Sequence, residues 1–189
     1  MKPLVIGAAL LLTASAVSAH ITPPRILLKD PEALRLLLPE ATSFDRTDIK
    51  PTKDVKQQVR KLMNWTPDQS SYKVFVGRDE KGRELGRVMF MGEITIHGLV
   101  QMAVAVGPDN TVKKVAVVAI TDEAYGWVKP LLEKNFAAQF VGKSPNDTYL
   151  VGERVAARRG SMEKFYEQVL ATLIQRSAVL CHVAPTKSA

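Results

Sequence analysis

Two stretches carry the residues best suited to holding a ligand. The first is Thr121-Asp122-Glu123-Ala124-Tyr125-Gly126-Trp127, where an apolar strand turns into a helix. Glu123 can accept a hydrogen bond from a ring N–H, Gly126 admits close backbone approach, and Tyr125 or Trp127 can cover an aromatic ring. The same residues also suit a plain helix start, with Thr121 or Asp122 as the cap, Glu123 favourable to the dipole and Trp127 in the core. The second stretch is Arg158-Arg159-Gly160-Ser161, ahead of a helix whose Met162, Phe165, Tyr166, Val169, Leu170 and Leu173 form an apolar stripe. Two guanidinium groups, free backbone N–H groups and the positive end of a helix dipole make an anion site there, in which Ser161 either caps the helix or helps to hold a phosphate. A solvated basic turn is the competing reading.

Other constellations are missing. The histidines are His20, His97 and His182, and no pair has the i,i+4 spacing of a zinc helix. There is no G-x-S-x-G elbow and no G-x-x-x-x-G-K-[ST] phosphate loop, so hydrolase and nucleotidase readings have no support. A mature N-terminal His20 could offer copper its amine and imidazole; a chain end that happens to begin with His is the plainer reading. Cys181 is the one cysteine. It cannot found a disulfide framework, and with no C-x-x-C-H signature it reads as an incidental thiol near a polar tail.

The N-terminus looks like an export signal. Lys2 precedes an uncharged run from Leu4 to Ala16, too short to span a bilayer but matching a signal-peptide core, and Ala14-Ser15-Ala16 and Val17-Ser18-Ala19 are cleavage sites. The expectation is a periplasmic protein starting at Val17 or His20, with no transmembrane segment once residues 1–19 are removed. That removal takes one Lys and no acid, so the formal charge falls from +7 to +6. About 170 residues then remain, enough for one domain with its own core. Basic residues are interleaved with acids and aromatics are few, which argues against a nucleic-acid partner. The excess charge suits an anionic ligand or acidic headgroups instead.

Elements follow from periodicity. Asp30-Pro31 starts a helix that stops before Pro39, and a polar connector runs to Pro51. Val55, Val59, Leu62 and Met63 mark an amphipathic helix over 53–64. From Ser71 the period changes to that of strands: Tyr72 to Val76, Arg87 to Thr95, Leu99 to Val106 and Val112 to Ile120, the last apolar enough for burial on both faces. Short turns between them favour antiparallel pairing. Helical spacing returns from Trp127 to Phe140, Gly142 ends it, a short strand is expected at Thr148 to Val151, and a last helix runs from Ser161 to about Arg176. The expected fold is α+β, an antiparallel sheet with flanking helices: lead-in and helices over 20–70, a main unit over 71–176 and a tail over 177–189.

In order and spacing, residues 71–175 resemble the FMN-binding domain family, which includes flavin-carrying subunits of sodium-pumping NADH:quinone oxidoreductase and of ferredoxin:NAD oxidoreductase. Gly98, the strand to Val106 and the turn Gly107-Pro108-Asp109-Asn110 follow its opening. Glu123 and Gly126 stand where the family has Glu-Thr-Pro-Gly; Phe136, Phe140, Gly142 and Lys143 follow the next portion, and 161–173 the last helix. The departure lies at the attachment motif, Asp-x-x-Ser-Gly-Ala-Thr-x-Ser. Matched from the last helix, it falls on Glu153, then Ala156, Ala157 and Arg158, with Arg159 at the acceptor threonine and Ser161 at the later serine. Covalent FMN is therefore not expected, and an arginine can pair with the phosphate as an ion instead. The resemblance implies a periplasmic electron carrier rather than a stand-alone enzyme. It would bind FMN non-covalently through Arg158, Arg159, Gly160 and Ser161, with Glu123, Tyr125, Gly126 and Trp127 near the ring, and would serve a redox partner protein such as a membrane complex. The alternative is a flavin-free binding or assembly module of the same fold. No metal site is expected.

Overall fold

The computed structural model describes residues 22–149 and 161–184. Six strands form one curled antiparallel sheet: β1 (Arg25–Ile26), β2 (Ser43–Ile49), β3 (Tyr72–Arg78), β4 (Glu84–Thr95), β5 (Gly98–Val106) and β6 (Val112–Ile120), in the spatial order β1-β6-β5-β4-β3-β2. Four helices flank it: α1 (Asp30–Leu37), α2 (Lys53–Leu62), α3 (Asp122–Glu133) and α4 (Met162–Val183), with a 3-10 turn at Phe136–Phe140. The fold is α+β.

Each face of the sheet packs its own core. On one, Val88, Ala103, Ala105 and Val118 meet Ala33, Leu34 and Leu37 of α1, with Phe75 and Phe90 against the same cluster. On the other, Val74, Met89, Met91, Val100, Met102 and Val104 pack with Tyr166, Leu170, Leu173 and Ile174 of α4. Strands alternate their side chains between faces, so Val117, Val118, Ala119 and Ile120 can all be buried at once, as their apolar run predicts. Local signals fix the helix starts. Backbone N–H of Lys29 donates to Glu32 ahead of α1 (3.1 Å), and Thr52 Oγ1 accepts from Val55 N ahead of α2 (3.4 Å).

Four elements differ from the sequence expectation. Residues 43–49, expected as a polar connector, form the edge strand β2, paired in register with β3 from Ser43↔Arg78 to Ile49↔Tyr72. An edge strand can stay polar because solvent meets most of its side chains. α3 begins at Asp122 rather than Trp127 and ends at Glu133, since Asn135 takes a left-handed conformation (φ 51°) and the chain continues as the 3-10 turn. Thr148 and Tyr149 are not in a strand, and the rest of the strand expected there lies outside the described residues.

The fourth difference is the largest: α4 runs seven residues past Arg176, to Val183. Ser177, Ala178, Val179, Leu180 and Cys181 are buried there, so Cys181 belongs to the core and not to a polar tail. Burial pushes its thiol up to about 12, which keeps it protonated and unreactive. Ser177 satisfies its hydroxyl by donating to Leu173 O (2.8 Å), and Arg87 Nη1 of β4 donates to the terminal carbonyls of Cys181 (2.8 Å) and Ala184 (3.3 Å).

Candidate functional site

β4 and β5 meet in a tight turn at Ile96 and His97, closed by Gly98 at φ +99°. A side chain at position 98 would overlap the Thr121 hydroxyl, so glycine is required both for the dihedral and for the contact. Thr121 is the N-cap residue of α3, but its hydroxyl donates to His97 O (2.7 Å) instead of capping. Thr95 Oγ1 donates to Gly98 O (2.9 Å) and accepts from His97 N (3.2 Å). Its one proton is thus used, which makes the buried Tyr166 hydroxyl, 3.2 Å away, the donor to Thr95. The turn is pinned from α3 and α4 together.

The residues proposed from sequence have distinct fates at this junction. Glu123 projects from the first turn of α3 to His97 Nδ1 (2.5 Å), so one carboxylate oxygen already has a partner. Tyr125 lies under the Arg25 guanidinium (4.9 Å to the ring centroid), and Asp122 pairs with the same arginine (2.7 Å). Gly126 has open space where a side chain would stand, so no close approach there demands a glycine. Trp127 is exposed rather than in the core. Ser161 is the N-cap of α4, its Oγ accepting from Lys164 N (3.3 Å). Arg158, Arg159 and Gly160 lie outside the described residues, as does His20.

Beside the pinned turn a groove of about 350 Å³ opens between the β4–β5 hairpin and α4. Ile94, Ile96, Phe165 and Val169 form its apolar walls, and Glu93 with Arg176 its polar end. Ile94 and Ile96 are 83% and 80% exposed, unusual for isoleucines. Arg176 Nη1 holds Glu93 (2.7 Å) while its guanidinium lies 4.9 Å from the Trp65 ring, and beyond the pair a second recess of about 210 Å³ reaches Trp65 and Tyr72. Sequence reasoning missed Ile94, Ile96 and His97 as site residues. It placed Phe165 and Val169 in one apolar stripe with Tyr166 and Leu170; of these, Tyr166 and Leu170 are buried, Phe165 is exposed and Val169 half-buried. The one available signal was the pattern Ile-Thr-Ile-His-Gly, two isoleucines around a hairpin turn where polar residues are usual.

Chemically, the groove suits a flat apolar body with a polar or charged extension. The Tyr166 hydroxyl beside it is held above the usual phenol range by burial, so it stays protonated. Among the described residues no three His, Cys, Asp or Glu side chains are grouped to hold a metal ion, and no helix is long and apolar enough to cross a membrane. A third cavity, of about 260 Å³, is lined by, among others, Arg46, Arg78 and Arg87. Each is already paired, with Asp48 (3.2 Å), Asp45 (3.0 Å) and Glu84 (2.7 Å), so an anion would have to displace a carboxylate there.

Comparison of the chain with family models, curated proteins and solved structures returned no match.

Proposed function

We propose that this chain is an exported flavoprotein that binds FMN without a covalent bond and carries electrons to or from a redox partner protein. The observation that carries the proposal is the groove along α4. Phe165 follows the N-cap Ser161 by four residues, about 6 Å of helix rise, and Val169 by eight, about 12 Å. A ligand with an anionic end at the start of α4 and a flat ring farther along it is the shape that spacing accommodates. Ile94, Ile96, Phe165 and Val169 would hold the ring; Ser161, with Arg158 and Arg159 just before it in sequence, would hold the phosphate. FMN, when bound, supplies the redox chemistry, and the protein supplies orientation and electrostatics. The family-like order of residues 71–175 and the signal-like N-terminus support the same reading.

The test is the visible spectrum and denatured mass of protein purified from a periplasm, followed by FMN titration monitored by flavin fluorescence. Bound flavin that is released on denaturation is the expected result. Phe165→Ala and Arg159→Glu should each weaken FMN at least tenfold. Protein that neither carries nor takes up FMN overturns the proposal. The flavin-free binding or assembly module is then the reading left standing, favoured by arginine at the acceptor position and by the exposed Ile94 and Ile96.

A further inference from the structure

We infer that the outer edge of β6 is a docking site for an extended segment of a partner protein in which apolar and acidic residues alternate. β1 covers this edge only at Ala119 and Ile120. Leu27 N and Leu28 N close the next position by donating to Val118 O (2.8 and 3.2 Å). At the other end of β6, Val112 N donates to Lys143 O (2.9 Å) and Val112 O accepts from Gly142 N (2.8 Å). Between these two closures, from Lys113 to Val117, no backbone segment pairs with the edge among the described residues. That window is about 17 Å of strand, and its outward N–H and C=O groups are a template for one more strand.

The two faces of such a strand would meet different surroundings. On the α4 face, Val115, Val117, Leu132 and Phe136 line an apolar cavity of about 190 Å³ together with Met102 and Leu170. Small-molecule sites run from about 300 Å³ upward, so this cavity suits a single apolar side chain. On the α1 face, Lys113 lies beside Leu37 and Leu38, and Lys114 gives its Nζ to the Leu36 carbonyl (2.9 Å). Both lysines are exposed, and neither has a carboxylate partner in an ion pair among the described residues. Side chains of an added strand alternate between the same two faces. An apolar residue that enters the cavity is therefore followed by one that meets the lysines, where Asp or Glu supplies the complementary charge. A second copy of the chain does not fit the window. Its own β6 edge would bring its Arg25–Leu28 and Gly142–Lys143 segments against those that bound the opening, whereas a lone extended segment has no such flanks. None of the residues that line the cavity lines the groove at the β4–β5 hairpin, so docking here does not require FMN.

The experiment titrates the full chain with a labelled synthetic peptide that alternates Leu and Glu, read by fluorescence anisotropy and by amide hydrogen exchange. The peptide should bind and slow exchange at the outward-facing amides between Lys113 and Val117 at least tenfold. A peptide that alternates Leu and Lys should bind at least tenfold more weakly. Leu132→Glu puts a charge at the cavity and should weaken the Leu–Glu peptide by a similar factor, and Lys113→Glu should shift the preference towards the Leu–Lys peptide. Both substitutions fall on exposed side chains, so folding is not at stake. No binding, equal binding of the two peptides, or protection that falls elsewhere overturns the inference. So does slow exchange of the same amides in the protein alone, which would mean that the edge is already covered; sedimentation as a dimer would then name a second copy as the occupant.

Discussion

Gly98 is where one residue sets the geometry of the whole site. Its φ of +99° and its contact with Thr121 make two separate demands, and Gly82, at φ +76° with open space around it, makes only the first. Gly82→Ala should therefore cost about 1 kcal/mol, the ordinary penalty of a left-handed alanine. Gly98→Ala should cost more, towards 3 kcal/mol, because the methyl group must also displace Thr121 and with it the bond to His97 O. Urea denaturation of both variants measures the difference, and equal losses would show that the contact with Thr121 carries no energy. The residue scale is also where sequence reasoning was least complete. Glu123 was legible as an acid at a strand–helix junction, but its partner His97 was not, because 26 residues separate them and only the β4–β5 register brings the turn to α3. The groove was hidden for the same reason: Thr95 and Tyr166 meet across 71 positions.

At the scale of elements, β3 to β6 were readable because each alternates, or runs apolar, between turn residues. The failures came where tertiary pairing overrides local pattern. β2 is a strand because β3 offers it a ladder, although its own side chains are mostly polar. α4 continues past Arg176 because the sheet buries Ala178 to Cys181, while short flanking polar residues suggested a tail. That extension makes a measurable prediction at Leu180. In a solvated tail, Leu180→Ala would change stability by no more than about 0.5 kcal/mol. Fully buried on α4, it should lose about 2–5 kcal/mol, the range for a leucine cut back to alanine in a core. Chemical denaturation of the variant separates the two, and a loss below 1 kcal/mol would end the helix near Arg176.

Across the whole molecule, acid sensitivity has two sources that salt can separate. Three turns are tied by aspartates that accept backbone N–H groups: Asp79 from Arg83 (2.9 Å), Asp109 from Thr111 (3.1 Å) and Asp147 from Ser144 (2.6 Å). In each case that backbone hydrogen bond is the leading cause holding the carboxyl below its ordinary value of 3.8. A carboxyl with a depressed folded pKa binds its proton more readily in the unfolded chain, so the stability it provides is whole above about pH 4 and drains as pH falls through the folded values. Protonating acids also raises the charge of a chain that already carries +7, and that self-repulsion opposes the compact state. Repulsion between exposed charges is screened over about 4 Å in 0.5 M salt, whereas the turn hydrogen bonds span single contacts. Thermal melts between pH 7 and pH 2.5 in 0.5 M salt should therefore retain a decline in melting temperature for wild type, and the triple variant Asp79→Asn, Asp109→Asn, Asp147→Asn should flatten it. If the triple variant falls as steeply as wild type, general charge repulsion and other carboxyls govern the acid limit, and the three turns do not.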